Sequence, residues 1–245
     1  MHLDWRHDMA NNAIIGEWEY CPDGVDFYVL DPENNPIEKW GLGLLRAEKF
    51  GELDRKWKIS GNRPNAIFTY RTERREKMRR EMDPKSPIVV EFANAVGDNL
   101  LITFLGKYGL PDVENDETPL NTVDTIQARM RAMLKAYSAG GVAETVEAFD
   151  KLLPDLSIHP DLKIRPGSNE IEMTLRCNNL AGFMTMELAA IVAGNAQVLR
   201  CIHCNNIFTA GVGGARKKTA HYCSNKCRVA AQRAAAKAEQ ERVGK

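Results

Sequence analysis

The apolar and polar positions of this chain divide it into short strands, a helical middle and a polar end. Residues 14–21 and 25–30 read as two strands, and Pro22, Asp23 and Gly24 between them are a turn signal, so the pair is expected to form a hairpin. Residues 1–12 are polar, 31–36 read as a loop, 40–50 as a short helix or an irregular apolar segment, and 65–70 as a third strand. Residues 71–82 interleave six bases with three acids, which predicts a solvated helix laced with i,i+4 pairs; the functional alternative is a second basic patch. The apolar run 88–92 fits a strand or the start of a helix. Asp98 is placed to cap a helix over 99–108 that Gly109 ends, and an acidic loop follows over 111–119.

Two amphipathic helices are predicted at 122–137 and 142–152, separated by Gly140 and Gly141. Two more strands, 156–165 and 171–177, flank a turn at 166–169 and read as a hairpin. The segment 180–193 is apolar nearly all round, with Asn179 before it and Gly194 after it. That pattern predicts a central core helix in which Met184 and Met186 fill space. The fold class is therefore α+β. A larger α+β domain is expected over 1–198 and a small module over 199–245, docked on it through Val198 and Leu199.

Composition changes the picture at one place. The chain of 245 residues is 44% hydrophobic and 27% charged, enough for one sizeable core and a small appendage. Its formal net charge is zero, but the charge is split. Residues 200–245 carry ten Lys or Arg against two Glu, and residues 1–199 carry 23 bases against 31 acids. A basic end on an acidic body suggests contact with a polyanion. The N-terminus lacks an apolar signal core, and the longest apolar run, 180–194, contains Glu187 and is too short to span a bilayer. These features point to the cytoplasm, with no membrane partner, where clustered cysteines usually mean metal.

Four of the six cysteines lie in that basic end. Cys201 and Cys204 form a C-x2-C pair, Cys223 and Cys227 a C-x3-C pair, and 18 residues separate the two. Four thiolates suit a tetrahedral structural zinc ion, and the second pair falls where Ser224 or Asn225 would cap an Ala-rich helix over 226–242. Knuckle, loop or hairpin, then helix N-terminus is a treble-clef-like order. The chemistry expected is one structural Zn2+ held by Cys201, Cys204, Cys223 and Cys227. Disulfides and unliganded thiols are the alternatives, and His203 or His221 could replace a cysteine. Cys21 and Cys177, alone in apolar segments, read as buried small hydrophobes.

Around the cysteines lie the candidate nucleic-acid contacts Arg216, Lys217, Lys218, Lys226, Arg228, Arg233 and Lys237. On a helix, Lys226, Arg233 and Lys237 fall within about 40° of one another. The glycines of 211–214 would let the backbone approach phosphates, and Gln232 and Asn225 could reach base edges. This supports a zinc-dependent protein that binds double-stranded DNA. One alternative is an interaction or ligand-sensing protein whose finger is only structural. The other is a metal-dependent nuclease. That reading is weakened because four cysteines leave no open coordination position and only His203 and His221 are at hand. No phosphate-binding loop, dinucleotide fingerprint or nucleophile elbow is present, so the chain is read as a non-enzyme. A homodimer would suit such a protein, although no heptad seam marks one.

The end of the chain resembles the bacterial CGNR zinc-finger proteins, in which an α+β domain called ABATE precedes the finger. The resembling pieces are the helix with Glu187-Leu188-Ala189-Ala190, then Leu199-Arg200-Cys201, Cys204 followed by Ile207-Phe208, and Tyr222-Cys223-Ser224. Upstream, the run Val89 to Ala95 followed by Asn99-Leu100-Leu101 and Tyr108-Gly109-Leu110 is similar to the start of the ABATE domain. The signature itself is replaced by Cys227-Arg228-Val229-Ala230. The resemblance implies a regulator of transcription.

Overall fold

The computed structural model describes residues 14–23, 25–30, 36–41, 66–111, 117–152, 158–164, 171–177, 179–211 and 214–243. The expectations for 1–12, for the loop at 31–35, for most of 40–50 and for the turn at 166–169 lie outside the described residues. Within them the chain is α+β. In order come β1 (Ile14–Tyr20), β2 (Val25–Leu30), β3 (Pro36–Gly41), β4 (Ala66–Tyr70) and β5 (Glu76–Glu81). Then follow α1 (Ile88–Asn94), α2 (Asp98–Tyr108), β6 (Glu117–Pro119), α3 (Leu120–Ser138) and α4 (Val142–Asp150). The chain closes with β7 (Ile158–Ile164), β8 (Ile171–Cys177), α5 (Leu180–Ala193), β9 (Gln197–Arg200), β10 (Ile207–Ala210) and α6 (Asn225–Val243).

Among the described residues the strands form two four-stranded sheets and one two-stranded ribbon, ordered β5-β1-β8-β7, β3-β2-β4-β6 and β10-β9. All pairings are antiparallel except β1 with β8. The predicted β7–β8 hairpin is present. The predicted β1–β2 hairpin is not: both strands form, but β1 joins β5 and β8 while β2 joins β3 and β4. A turn signal fixes a change of direction, whereas the partner of each strand is chosen by which apolar face it must bury.

The charged segment 71–82 is a second correction. It holds strand β5 at a sheet edge, not a helix. Its burial alternates with period two: Met78 packs on the core while Lys77, Arg79 and Glu81 are exposed. Register sets Lys77 opposite Glu19 and Arg79 opposite Glu17, so acid faces base across the ladder. An edge strand rich in Lys and Arg also resists pairing with another chain.

Helices supply most of the core, and strand residues such as Trp18, Phe68 and Val198 complete it. Helix α5 carries Leu180, Phe183, Met184, Leu188 and Ile191 inward, as its apolar sequence predicts. Its first turn is capped by Asn179, whose side chain accepts from the Gly182 N–H at 2.7 Å. Phe183 meets Trp18 of β1 at a 5.1 Å ring separation, and the Trp18 indole donates to the Tyr108 carbonyl at 2.7 Å. Those two contacts seat β1 against α5 and the end of α2. Cys21 and Cys177 are buried, as expected. Helix α2 starts one residue earlier than predicted, at Asp98, with Gly97 at the cap and no side-chain cap bond. Gly109 ends it at φ +92°, a conformation that favours glycine, and a Cβ there would make a tight 3.0 Å contact with Cβ of Tyr20.

A buried carboxyl group ties α5 to α1. Glu187 is buried, accepts the Val89 N–H at 2.8 Å through Oε2, and leaves Oε1 without a hydrogen-bond partner. Burial raises its carboxyl from 4.5 to about 7; the N–H groups of Val89 and Ile88 and the charge of Arg80 hold it lower, and Asp83 adds to the rise. A folded pKa above the unfolded one means the folded state keeps its proton longer. Stability from this group is therefore greatest below about pH 4.5 and falls as pH rises to about 7, by of order 3 kcal/mol. The variant Glu187→Gln should gain stability over the wild type as pH rises from 5 to 8. Denaturant midpoints of the two proteins measured side by side should diverge over that window, and parallel curves would exclude this role.

Candidate metal centre

The ribbon β9–β10 and the start of α6 bring the four predicted cysteines together. The knuckle lies in the turn of the ribbon. The Cys201 N–H donates to the Asn206 carbonyl at 2.9 Å, and the Asn205 N–H returns to the Cys201 carbonyl at 2.8 Å. Asn205 adopts φ +61°, a left-handed turn that asparagine tolerates better than most residues. The second pair arrives across it, with the Ile202 N–H donating to the His221 carbonyl at 3.2 Å. Helix α6 is capped as the sequence predicts: the Ser224 hydroxyl accepts the Cys227 N–H at 3.1 Å.

The four sulfurs all lie within 4.8 Å of one another, with Cys204 to Cys223 at 3.6 Å and Cys223 to Cys227 at 3.5 Å. All are free thiols. A tetrahedron with sulfur about 2.3 Å from its centre has edges of about 3.8 Å, so this spacing fits one ion and is far beyond a sulfur–sulfur bond. Acidity within the cluster is divided. At Cys201 burial acts to raise the thiol, but the N–H groups of Cys204, Cys223 and His203 outweigh it and set it at about 6. At Cys223 burial, with the thiols of Cys227, Cys204 and Cys201 beside it, pushes the value up to about 12. Four thiolates this close repel one another unless a cation sits among them. The set therefore suits a metal that is soft enough for sulfur and leaves no position open for water. Cys201 is buried and Cys204 exposed, so the centre has one side in solvent. His203 and His221 are exposed beside it and are not members of the cluster.

The candidate polyanion contacts divide. Lys217, Lys218, Lys226, Arg228, Arg233 and Lys237 are exposed. Arg216 is half-buried, and its Nε donates to the Cys223 carbonyl at 2.9 Å, which fastens the loop to the second cysteine pair. Of the glycine loop, Val212 and Gly213 lie outside the described residues. A Cβ on Gly214 would fall 2.5 Å from the Ala210 backbone, so the close approach that glycine permits is to the end of β10. Beyond its first two turns α6 is exposed on every side: Gln232 to Arg242 are all in solvent.

The centre is not a loose appendage. Ile207 and Val198 belong to the main core, while Cys201, Phe208 and Ala210 form a small cluster with Leu199, Ala220 and Tyr222 around the sulfurs. The division expected at 198/199 thus falls inside β9. At the junction the Asn94 amide acts as a strand substitute: its Nδ2 donates to the Ile207 carbonyl and its Oδ1 accepts the Ile207 N–H, both at 2.8 Å. Gln127 of α3 donates to the Phe92 and Ala95 carbonyls at 2.7 and 3.0 Å and closes the end of α1 that carries Asn94. Neither amide had a visible signal in the sequence, since the partner of Asn94 lies 113 residues away. Compared with models of known families and with curated proteins, the chain matches none.

Two outcomes follow from this geometry. The purified protein should bind one cobalt(II) ion per chain with the intense sulfur-to-metal absorption of an all-thiolate tetrahedral site, and Cys227→Ser should weaken or abolish it. An absorption lacking thiolate character would exclude a four-sulfur site. Asn94→Ala should cost about 1–3 kcal/mol in denaturant unfolding of the metal-loaded protein, because it leaves a buried peptide group unpaired. Metal stoichiometry should stay at one per chain.

Proposed function

We propose that residues 199–245 are a zinc finger that binds double-stranded DNA, in a regulator of transcription resembling the CGNR proteins. Zinc is the ion proposed because it takes four thiolates in a closed tetrahedron and, as a d10 ion, brings no redox chemistry of its own to a structural site. Such an ion contributes roughly 10–16 kcal/mol of apparent folding energy to a module too small to bury a core of its own. Its role here is structural, and the chain is proposed to be a binder and not an enzyme.

The observation that carries the nucleic-acid reading is charge. No Asp or Glu occurs from Arg200 to Ala238, while six exposed bases surround the sulfur cluster and line α6. Exposed Lys and Arg with no acids among them form a field that attracts phosphate, and a four-thiolate zinc core, with a formal charge of about −2, offsets only part of it. Lys237 faces Glu241 at 4.0 Å, but so exposed a pair is weak and yields to a phosphate. A second reading has support in the clamp between Asn94 and Ile207: the finger would serve as a rigid end-piece of the body, which would itself bind a partner or ligand.

A mobility-shift titration across a salt series separates the two. The zinc-loaded protein should bind mixed duplex DNA with log K falling by about 3 to 5 per decade of salt, according to how many of the six bases reach phosphate. Lys226→Ala/Arg233→Ala should lower both affinity and slope. Absence of any shift near about 50 mM salt would select the second reading.

A further inference from the structure

Helix α6 carries a second pattern that charge alone does not explain. Cys227, Ala230 and Ala231 are its half-buried positions and mark the side turned toward the finger. At 100° per residue, the opposite side is occupied by Asn225, Val229, Gln232 and Ala236, which fall within about 60° of one another. All four are exposed. Val229, at 37% exposure, is among the large apolar side chains left in solvent. No base or acid interrupts the row. Lys226, Arg233 and Lys237 run along one flank, and Arg228 stands on the other.

From this we infer, on the basis of the duplex-DNA reading above, that the row Asn225, Val229, Gln232, Ala236 enters the major groove and reads a short run of A·T pairs. The composition of the row is selective. Asn and Gln amides match the acceptor–donor pair that adenine presents in the major groove, at N7 and the N6 amino group. Val and Ala have no hydrogen bonds to make and fit against the thymine methyl. The guanine-reading side chains, Arg and Lys, are kept off the row and set at its edges, where the groove walls carry phosphates. From Asn225 to Ala236 the helix rises about 16 Å, and from Asn225 to Gln232 about 10 Å. The nearer span covers about three base-pair steps at 3.4 Å each. A helix standing free of the body along most of its length meets the steric need of a groove about 12 Å wide.

The test uses the full chain loaded with zinc and a random duplex pool, sequenced after selection, followed by salt titrations on the winning site. The expected result is a common run of three or four A·T pairs. Gln232→Ala should reduce discrimination at one position about 5- to 150-fold while leaving the salt slope as it was. Lys226→Ala/Lys237→Ala should lower the slope by about 2 and keep the same preferred sequence. Replacing the selected A·T pairs by inosine·cytosine keeps the minor-groove pattern but changes the major-groove one, and should abolish the preference. Three results would overturn the inference and leave DNA binding intact. They are a G·C-rich consensus, salt-dependent duplex binding with no consensus, and a preference that survives the inosine exchange. Failure to bind duplex at all, or tighter binding to single-stranded RNA, would remove the duplex reading and this inference with it.

Discussion

Four sulfur atoms held within 4.8 Å of one another are the constraint on which the C-terminal end of this chain depends. Thiols so close cannot all ionise unaided, because thiolates 3.5 to 3.6 Å apart repel one another. A cation among them removes that conflict and joins two segments that share little else. Around the sulfurs the apolar cluster is small, with Cys201, Phe208 and Ala210 at its centre. Helix α6 adds almost no burial of its own. Hydrophobic contact here is scant, and the hydrogen bonds that add to it are few: the Arg216 Nε donates to the Cys223 carbonyl, and the Cys227 N–H donates to the Ser224 hydroxyl at the start of α6.

The remaining attachment is to the body, through packing and a paired amide. Strand β10 is buried throughout and continues the main core through Ile207. The Asn94 amide closes the junction in the manner of a ladder rung. Since α1 also receives Glu187 at its N-terminus and Gln127 at its C-terminus, one seven-residue helix joins α5, α3 and the ribbon. Short helices are marginal alone, and this one is fixed at both ends by side chains from elsewhere. The direction in which α6 leaves the molecule is therefore set by the body as well as by the sulfurs.

Particular elements show where sequence reasoning succeeds and where it stops. Helix α5 was legible because its apolar pattern runs nearly all round and its Asn and Gly boundaries are strong local signals. The β7–β8 hairpin was legible because two strand-like segments flank a turn signal at 166–169. The segment 71–82 misled because charges at spacings of three to five imitate helical i,i+4 pairs. The deciding fact was cross-strand: Glu19 and Glu17 stand opposite Lys77 and Arg79 on β1, more than fifty residues earlier. The β1–β2 hairpin failed likewise, since a turn signal names no partner. The glycine loop was read toward phosphate, yet Gly214 is needed against Ala210.

By itself the sequence determined which four cysteines come together and where α6 begins, because residue type, spacing and helix cap are all local. It also determined the charge division and the helix carrying the exposed bases. Only the tertiary structure decided which strands pair and which glycine meets which backbone. It also decided that Asn94 and Glu187 are structural ties, and which side of α6 is turned from the finger. Those are relations between residues up to a hundred or more positions apart, and they are settled by packing and by the pairing of buried polar groups, which no window of sequence contains.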